Sequence, residues 1–385
     1  MKSFSFITHH SALIAIVMSY ATLEGTKRYE ERFRGHAAEN HFRLEENLWV
    51  SSIGIGTYLG DWDEETDERY AEAVFRAVEL GVNVIDTAIN YRFQRSERSI
   101  GTALRRLTEQ RVAARDEILI CTKGGYLPFD SERPGNVRDY VEENFVRPGI
   151  AKFSDFVGGS HSMTPDYLQS QIDWSLRNMG LDCIDVYYVH NPEAQLGEVS
   201  REEFDRRLRA AFELLEQKRA EGKIRMYGAA TWNGFRAGMD ERTYHSLPRM
   251  VELAREVGGD EHGFRFIQLP FNLAMPEALV ARNQVLNGEQ LTLLEAASAL
   301  GVTVAASASI LQGRVARNLP EEVRQPLGSL ATDAQTAIQF VRSTPGITVA
   351  LVGMSRRAHV EENLQLVRVP PALPEDYQQL FEQAG

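Results

Sequence analysis

Cysteine is scarce in this chain: Cys121 and Cys183 are the two in 385 residues. Both sit in apolar strand-like runs, ILICTK and LDCIDVYYVH, where a small thiol reads most simply as a buried hydrophobe. That excludes a disulfide framework and a cysteine-based metal site, and it fits a reducing, cytoplasmic compartment. Positive charge is also short, since 42 Lys and Arg against 54 Asp and Glu leave a formal net charge of −12. A general nucleic-acid surface needs a basic face to displace counterions from phosphate. No nucleic-acid partner is therefore expected, and an anionic ligand must be held by local charge. The apolar stretch SALIAIVMSYA near the N-terminus is too short to span a bilayer, so no membrane partner is expected. Lys2 before it and Ser19-Tyr20-Ala21 at its end leave a cleavable signal peptide open; a native start at Met18 is a second possibility, and neither bears on the chemistry.

What is there is ordinary for a globular protein, with 43% hydrophobic and 25% charged residues, so a sizeable core is expected. From about residue 51 short β-rich runs alternate with segments of helical period. The strand candidates are SSIGIG, VNVID, EILICTK, CIDVYYVH, IRMYGA, RFIQL, VTVAASA and ITVALV. The clearest helix opens at Thr164 with Pro165 in its first turn, places Leu168, Ile172, Leu176 and Met179 on one face and stops at Gly180. Two others carry Tyr70, Val74 and Val78 before Gly81, and Phe204, Leu208, Ala211 and Leu215 before Gly222. An open doubly wound sheet would show the same rhythm, but its phosphate turn, G-x-G-x-x-G leading into a helix, is missing from SSIGIGTYLG. The expectation is an α/β fold, a (β/α)8 TIM barrel over residues 51–385 behind an N-terminal extension, 1–50. The segment 124–163 is a long insertion after the third barrel strand, of the kind from which barrels build lids and substrate walls. A loosely packed surface excursion is the bland alternative.

Three strand runs end in ionisable side chains, NVID at Asp86, ILICTK at Lys123 and DVYYVH at His190, and Tyr91 follows the first. Strand ends are often polar, so each alone means little. Gathered at one rim they would form a proton-donor site. A tyrosine hydroxyl is a sluggish acid near neutrality, with an ordinary pKa of ~10. An ammonium beside it favours the phenolate, so Lys123 is expected to lower the pKa of Tyr91, and Asp86 is expected to hold Lys123. His190 would donate a hydrogen bond to a substrate oxygen. No second His or Cys lies near it at ligand spacing, so no metal is expected.

The segments GVNVIDTAINYRFQRSERSIG, ILICTK and DVYYVHNPE together resemble the aldo/keto reductase family, (β/α)8 barrels that use NADPH or NADH. GKIRMYG, QLPFN and LVGMSRRAHVEENL extend the resemblance in order over most of the chain after residue 50. It implies that Asp86, Tyr91, Lys123 and His190 form a catalytic tetrad with Tyr91 as the acid, and that a small-molecule aldehyde or ketone is the substrate. It also implies that Gly56, Thr57 and Tyr58 line the pocket, that Gln268 and Thr231 meet the nicotinamide amide, that Ser307 lies near the pyrophosphate, and that Gly353, Ser355, Arg356, His359, Glu362 and Asn363 surround the adenosine end. Arg356, with Arg357 adjacent, would pair with the 2′-phosphate of NADPH; NADPH is favoured, with NADH open. Solvated charges are the bland reading of the two arginines.

The chain departs from the family pattern in places. AASAS stands where many relatives have an A-Y-S-P-L-like run, which puts Ala306 in place of an aromatic that stacks on the nicotinamide. Ala230 and Thr231 replace a Ser-Asn pair, and His359 replaces a more usual Gln or Arg. Two functions follow from the resemblance: a carbonyl reductase, or, as for channel-associated relatives, an NADP(H)-binding regulatory or redox-sensing subunit with little turnover. The physiological substrate, the direction of reaction and the oligomeric state are not legible.

Overall fold

A computed structural model of the protein describes residues 20–382. The readings of a signal peptide and of Met18 as initiator fall outside the described residues. Eight strands, β1 Ile53–Gly56, β2 Val84–Asp86, β3 Leu119–Gly124, β4 Ile184–His190, β5 Ile224–Ala230, β6 Phe264–Pro270, β7 Thr303–Ser307 and β8 Val349–Gly353, pair in sequence order into a closed parallel barrel. Helices follow the strands: α1 Glu64–Glu79, α2 Arg95–Glu109, α3 Pro165–Met179, α4 Arg201–Ala220, α5 Leu247–Gly258, α6 Leu293–Leu300, α7 Asp333–Ser343 and α8 Arg357–Asn363. This is the expected (β/α)8 barrel.

The two-residue alternation of each strand divides the core into two layers. Val84, Cys121, Val186, Tyr188, Met226, Phe266, Ala305 and Leu351 form one buried cluster that fills the barrel. Ile55, Ile85, Ile120, Val189, Ile267, Val304 and Val352 belong to a second, shared with the helices. Helix α3 shows why the segments fold locally as they do. Pro165 presets its first turn, Leu168 and Ile172 are fully buried on its inner face, and Gly180 ends it at φ 68°. Burying each such side chain stabilises the fold by roughly 1.5–3 kcal/mol.

Two further elements sit at the barrel's ends. The hairpin Phe42–Glu45/Leu48–Ser51 turns through Glu46 and Asn47, both at positive φ, the geometry of a two-residue turn matched to strand twist. Its Leu48 and Val50 join the interior cluster and stopper the N-terminal mouth. At the other end the insertion after β3 carries its own core of Leu127, Val141, Phe145, Ala151, Phe156 and Tyr167. Tyr167, from α3, meets Phe145 and Phe156 at ring separations of 5.1 Å each. The insertion is thus a packed wall and not a loose excursion. A second hairpin, Gln284–Leu286/Glu289–Leu291, lies between β6 and α6 and has no counterpart in the sequence expectations. Among the described residues no helix is long and apolar enough to cross a membrane.

Candidate active site

Parallel register carries several polar side chains to the C-terminal rim, where Gly353 pairs with Gly56, Gly56 with Asp86, and His190 with Ala230, which pairs in turn with Gln268. There Lys123 Nζ donates to Asp86 Oδ2 at 2.7 Å and to the Thr87 carbonyl at 2.6 Å, and Gln268 Nε2 donates to Asp86 Oδ1 at 2.7 Å. The Tyr91 ring lies 4.9 Å from Lys123 Nζ and 5.8 Å from the His190 ring. Asp86, Tyr91, Lys123 and His190 are therefore gathered in one cluster. A recess of 820 Å³ between α3 and the insertion, lined by Ile150, Asp166, Trp174 and Arg177 among others, contains none of them.

Burial dominates the electrostatics. Lys123 is 1% exposed; burial works against its ammonium, but Asp86 and Tyr91 outweigh that and raise its pKa. Burial also pushes the Tyr91 phenol above its ordinary value, with Lys123 pulling the other way and Asp86 reinforcing the rise. The expected lowering is thus corrected in sign: Lys123 acts in the foreseen direction, but the low-dielectric setting of the phenol is the larger influence. His190 is held well below the ordinary histidine range by burial first, then by Lys123 and His161, so it is neutral near pH 7.

Tyr91 owes its position to an unusual turn. Arg92, Phe93 and Gln94 all adopt left-handed backbone conformations, with φ of 48°, 56° and 67°. Each non-glycine residue there costs about 1–2 kcal/mol, and the surroundings hold the turn. Arg92 Nε donates to the Asp61 carbonyl at 2.8 Å, Arg92 ion-pairs with Asp67, and Gln94 Nε2 donates to the Pro128 carbonyl at 3.1 Å. No glycine marks this turn in the sequence, so nothing local signalled it.

The remaining expected positions divide. Gly56 and Gly353 are not forced by crowding, since a Cβ built on either would meet its nearest atoms at 3.9 and 4.0 Å, ordinary contact distances. Tyr58 is exposed and packs edge-on to Tyr91 at 4.9 Å. The Thr57 hydroxyl is buried and donates to Thr87 Oγ1 at 2.9 Å, so it serves the scaffold. Gln268 spends its amide nitrogen on Asp86, and its Oε1 makes no hydrogen bond among the described residues. Thr231 Oγ1 and Asn363 Oδ1 are buried without a partner among the described residues. Ser355 is half-buried, and Arg356, His359 and Glu362 are exposed at the start of α8 and along it. Arg357 turns away to Glu361 and Glu72, at 2.9 and 3.5 Å, leaving Arg356 as the cation of the pair that no carboxylate holds among the described residues. Ala306, expected in place of a stacking aromatic, belongs to the outer layer and is fully buried. By alternation Ser307 is the residue on the inward side of β7.

Two neighbours of the cluster were not foreseen. Tyr126, from the start of the insertion, packs edge-on to His190 at 5.2 Å and to His161 at 4.9 Å. His161, from the far end of the same insertion, bonds the His190 carbonyl at 2.7 Å. Their sequence signal is weak, one tyrosine and one histidine in a long loop.

Comparison with known proteins agrees with the fold and the sequence motifs. Residues 52–238 match the model of the Aldo/keto reductase family. The D-threo-aldose 1-dehydrogenase of Pseudomonas sp is 30% identical over 185 residues, 47% of this chain and 50% of that protein. The NADH-specific methylglyoxal reductase of Escherichia coli (strain K12) is 26% identical over 189 residues, 48% and 49% of the two chains. The matched stretch thus spans about half the length of these curated relatives. A crystal structure of an aldo/keto reductase from Klebsiella pneumoniae in complex with NADP and acetate superposes with a TM-score of 0.61 at 19% identity, over 90% of this chain and 95% of that one. On the motifs of β1 to β5 and on this barrel, the stretch from residue 52 to 238 belongs to the aldo/keto reductase family.

Proposed function

We propose that the protein is an NADPH-dependent oxidoreductase that reduces an aldehyde or ketone to an alcohol, with Tyr91 as general acid. The observation that carries this reading is the gathering of Tyr91, Lys123, Asp86 and His190 at one rim, with the phenol held protonated by burial and an ammonium beside it. The family match and the NADP complex of the Klebsiella pneumoniae structure support it. NADH use stays open, since the Escherichia coli relative is NADH-specific by name.

The residues present fit a nicotinamide dinucleotide. Gly56 and Gly353 are paired strand ends at the rim that carries the cluster. The orphaned Thr231 Oγ1 and Asn363 Oδ1 are polar atoms that burial makes costly to leave unmatched. Thr231 and the free Oε1 of Gln268 would hold the carboxamide, Ser307 the pyrophosphate, and Ser355, His359, Glu362 and Asn363 the adenosine. Arg356 would take the 2′-phosphate through its planar fork. The bound cofactor supplies a hydride for the carbonyl carbon.

The chain's own groups handle the proton. His190, neutral, donates a hydrogen bond to the carbonyl oxygen and fixes its direction. Tyr91 Oη gives its proton to that oxygen as the alcohol forms, leaving a phenolate. Lys123 stabilises the phenolate, and Asp86 keeps the ammonium in place. High phenol pKa and adjacent ammonium have complementary effects, since the first keeps the proton on Tyr91 at neutral pH and the second makes it transferable. The alternative of a regulatory or redox-sensing subunit needs none of this proton machinery and is not favoured.

The test is NADPH consumption against a panel of aromatic, aliphatic and sugar-derived aldehydes, with NADH in parallel. Wild type should turn over, and Tyr91→Phe should lose turnover by about 10²-fold or more while still binding NADPH. Normal turnover in Tyr91→Phe would refute the acid assignment; no turnover in wild type with NADPH bound would favour the sensory reading.

A further inference from the structure

We propose that His161 is a positioning residue for this site: from the insertion it fixes the main chain of His190 and the ring of Tyr126. It rests on the reading of His190 as the donor to the carbonyl oxygen.

A chain of hydrogen bonds with only one consistent polarity runs into the site. Arg207 Nη1 lies 2.6 Å from Gln195 Oε1, and a guanidinium can only donate. Gln195 must therefore present its oxygen to Arg207 and its NH2 inward. That NH2 lies 2.8 Å from His161 Nδ1 and 3.1 Å from the His161 carbonyl, so Nδ1 is an acceptor and the ring proton sits on Nε2. His161 Nε2 then donates to the His190 carbonyl, 2.7 Å away, which can only accept. Each assignment follows from its neighbour, and Gln195 and His161 are 0% and 1% exposed. Burial pushes His161 down to about 4, against the raising influence of that hydrogen bond and of Glu193. The ring therefore keeps this single tautomer across neutral pH.

The His190 carbonyl needs such a partner. The next residue, Asn191, leaves the strand at φ 43°, so the chain turns out of the sheet immediately after the side chain that faces substrate. Gly125 shows how closely the parts are fitted. A Cβ there would lie 2.7 Å from His161 Nε2 and 3.1 Å from the His190 carbonyl oxygen. Tyr126, the next residue, is held edge-on between the His161 and His190 rings. One imidazole thus orients the His190 backbone by a hydrogen bond and its ring through Tyr126. The insertion reaches the chemistry through this residue, beyond forming a wall.

The experiment compares His161→Phe, which keeps a ring against Tyr126 but no donor, with His161→Gln, whose amide can replace Nε2–H, and with Gln195→Leu, which breaks the chain one bond further out. His190→Gln is measured beside them. His161→Phe is expected to lower kcat by about 10- to 100-fold through misplacement of His190, with the KM for NADPH unchanged. His161→Gln is expected to recover most of that loss, and Gln195→Leu to show a smaller fall of the same kind. Should His161→Phe not fold, Gln195→Leu against wild type carries the test. Wild-type kcat in both His161→Phe and Gln195→Leu, or equal losses in His161→Phe and His161→Gln, would overturn the proposal. If His190→Gln is slow while the His161 variants are not, only the proposal falls. If His190→Gln turns over as wild type does, the reading of His190 falls and the proposal with it.

Discussion

Lys123→Met isolates the buried pair at the centre of the site. Methionine nearly matches the length of the lysine stem, so the change removes charge and hydrogen bonds with little loss of volume. Lys123 donates to Asp86 at 2.7 Å and to the Thr87 carbonyl at 2.6 Å, and both charged side chains are at least nine-tenths buried. Removing one member of such a pair leaves the other uncompensated at a cost of about 3–5 kcal/mol. Gln268 still donates to Asp86, which places the expected loss near the lower end, about 3 kcal/mol. The double variant Asp86→Asn/Lys123→Met removes both charges, so it should be less destabilised than the sum of the single changes, by about 2 kcal/mol. Urea unfolding followed by circular dichroism gives all three values. The same substitution removes the influence that opposes burial at Tyr91. Turnover should therefore fall by about 10²-fold or more, well beyond what partial unfolding explains at low urea. A single variant within about 1 kcal/mol of wild type, or costs that simply add, would refute the picture of a mutually dependent buried pair.

Two further outcomes follow from charges elsewhere. Burial lowers His41 to about 3 and His161 to about 4, whereas both take up a proton near pH 6.5 when unfolded. Their folded values are depressed, so the stability tied to their neutral forms is present above about pH 6.5 and is lost as pH falls towards 4, at about 1.36 kcal/mol per pH unit for each. Glu97, raised by burial, works in the opposite sense and offsets part of this. Urea midpoints at pH 8, 6 and 4.5 should fall steeply over the last step, and a flat profile would refute the burial of neutral histidines. Arg356→Ala should raise the KM for NADPH by about 10- to 100-fold, the worth of a charge-assisted hydrogen bond, and leave that for NADH nearly unchanged; equal effects on both cofactors would remove Arg356 from the 2′-phosphate.

The barrel was legible because its signals are periodic and repeated. Each run from SSIGIG to ITVALV overlaps one of the eight strands, with ends differing by a residue or two where pairing partners decide the boundary. Pro165 and Gly180 marked α3 through their own backbone preferences. The hairpin Gln284–Leu291 was legible and was overlooked, since it turns on Asn287-Gly288 at φ of 53° and 84°, the strongest short hairpin signal; the other carried no such mark. Phe42–Ser51 turns on Glu46-Asn47, a pair without the glycine that usually announces such a turn. Its burial depends on a barrel mouth that only the folded chain creates.

The site divides along the same line. Asp86, Lys123 and His190 stand at strand tips, so strand direction alone carries them to one rim, and their residue types are unusual enough there to be noticed. The sign of the Tyr91 shift was not legible, because it is the balance of two influences of comparable kind, an ammonium at 4.9 Å and the exclusion of water. Which of them wins depends on how far water is kept from the hydroxyl of a residue that as a whole is only half-buried, and no strand or helix period encodes that. Residue type fixed the chemistry available at Tyr91, but depth fixed its direction. The same holds for His161. Its spacing to Gly125, His190 and Gln195 follows no period of strand or helix, so it becomes a neighbour of the reacting groups only when the insertion has packed its own core against α3. Residues of this kind act at a site without any local pattern to reveal them, and they are found by tracing which hydrogen bonds have only one consistent direction.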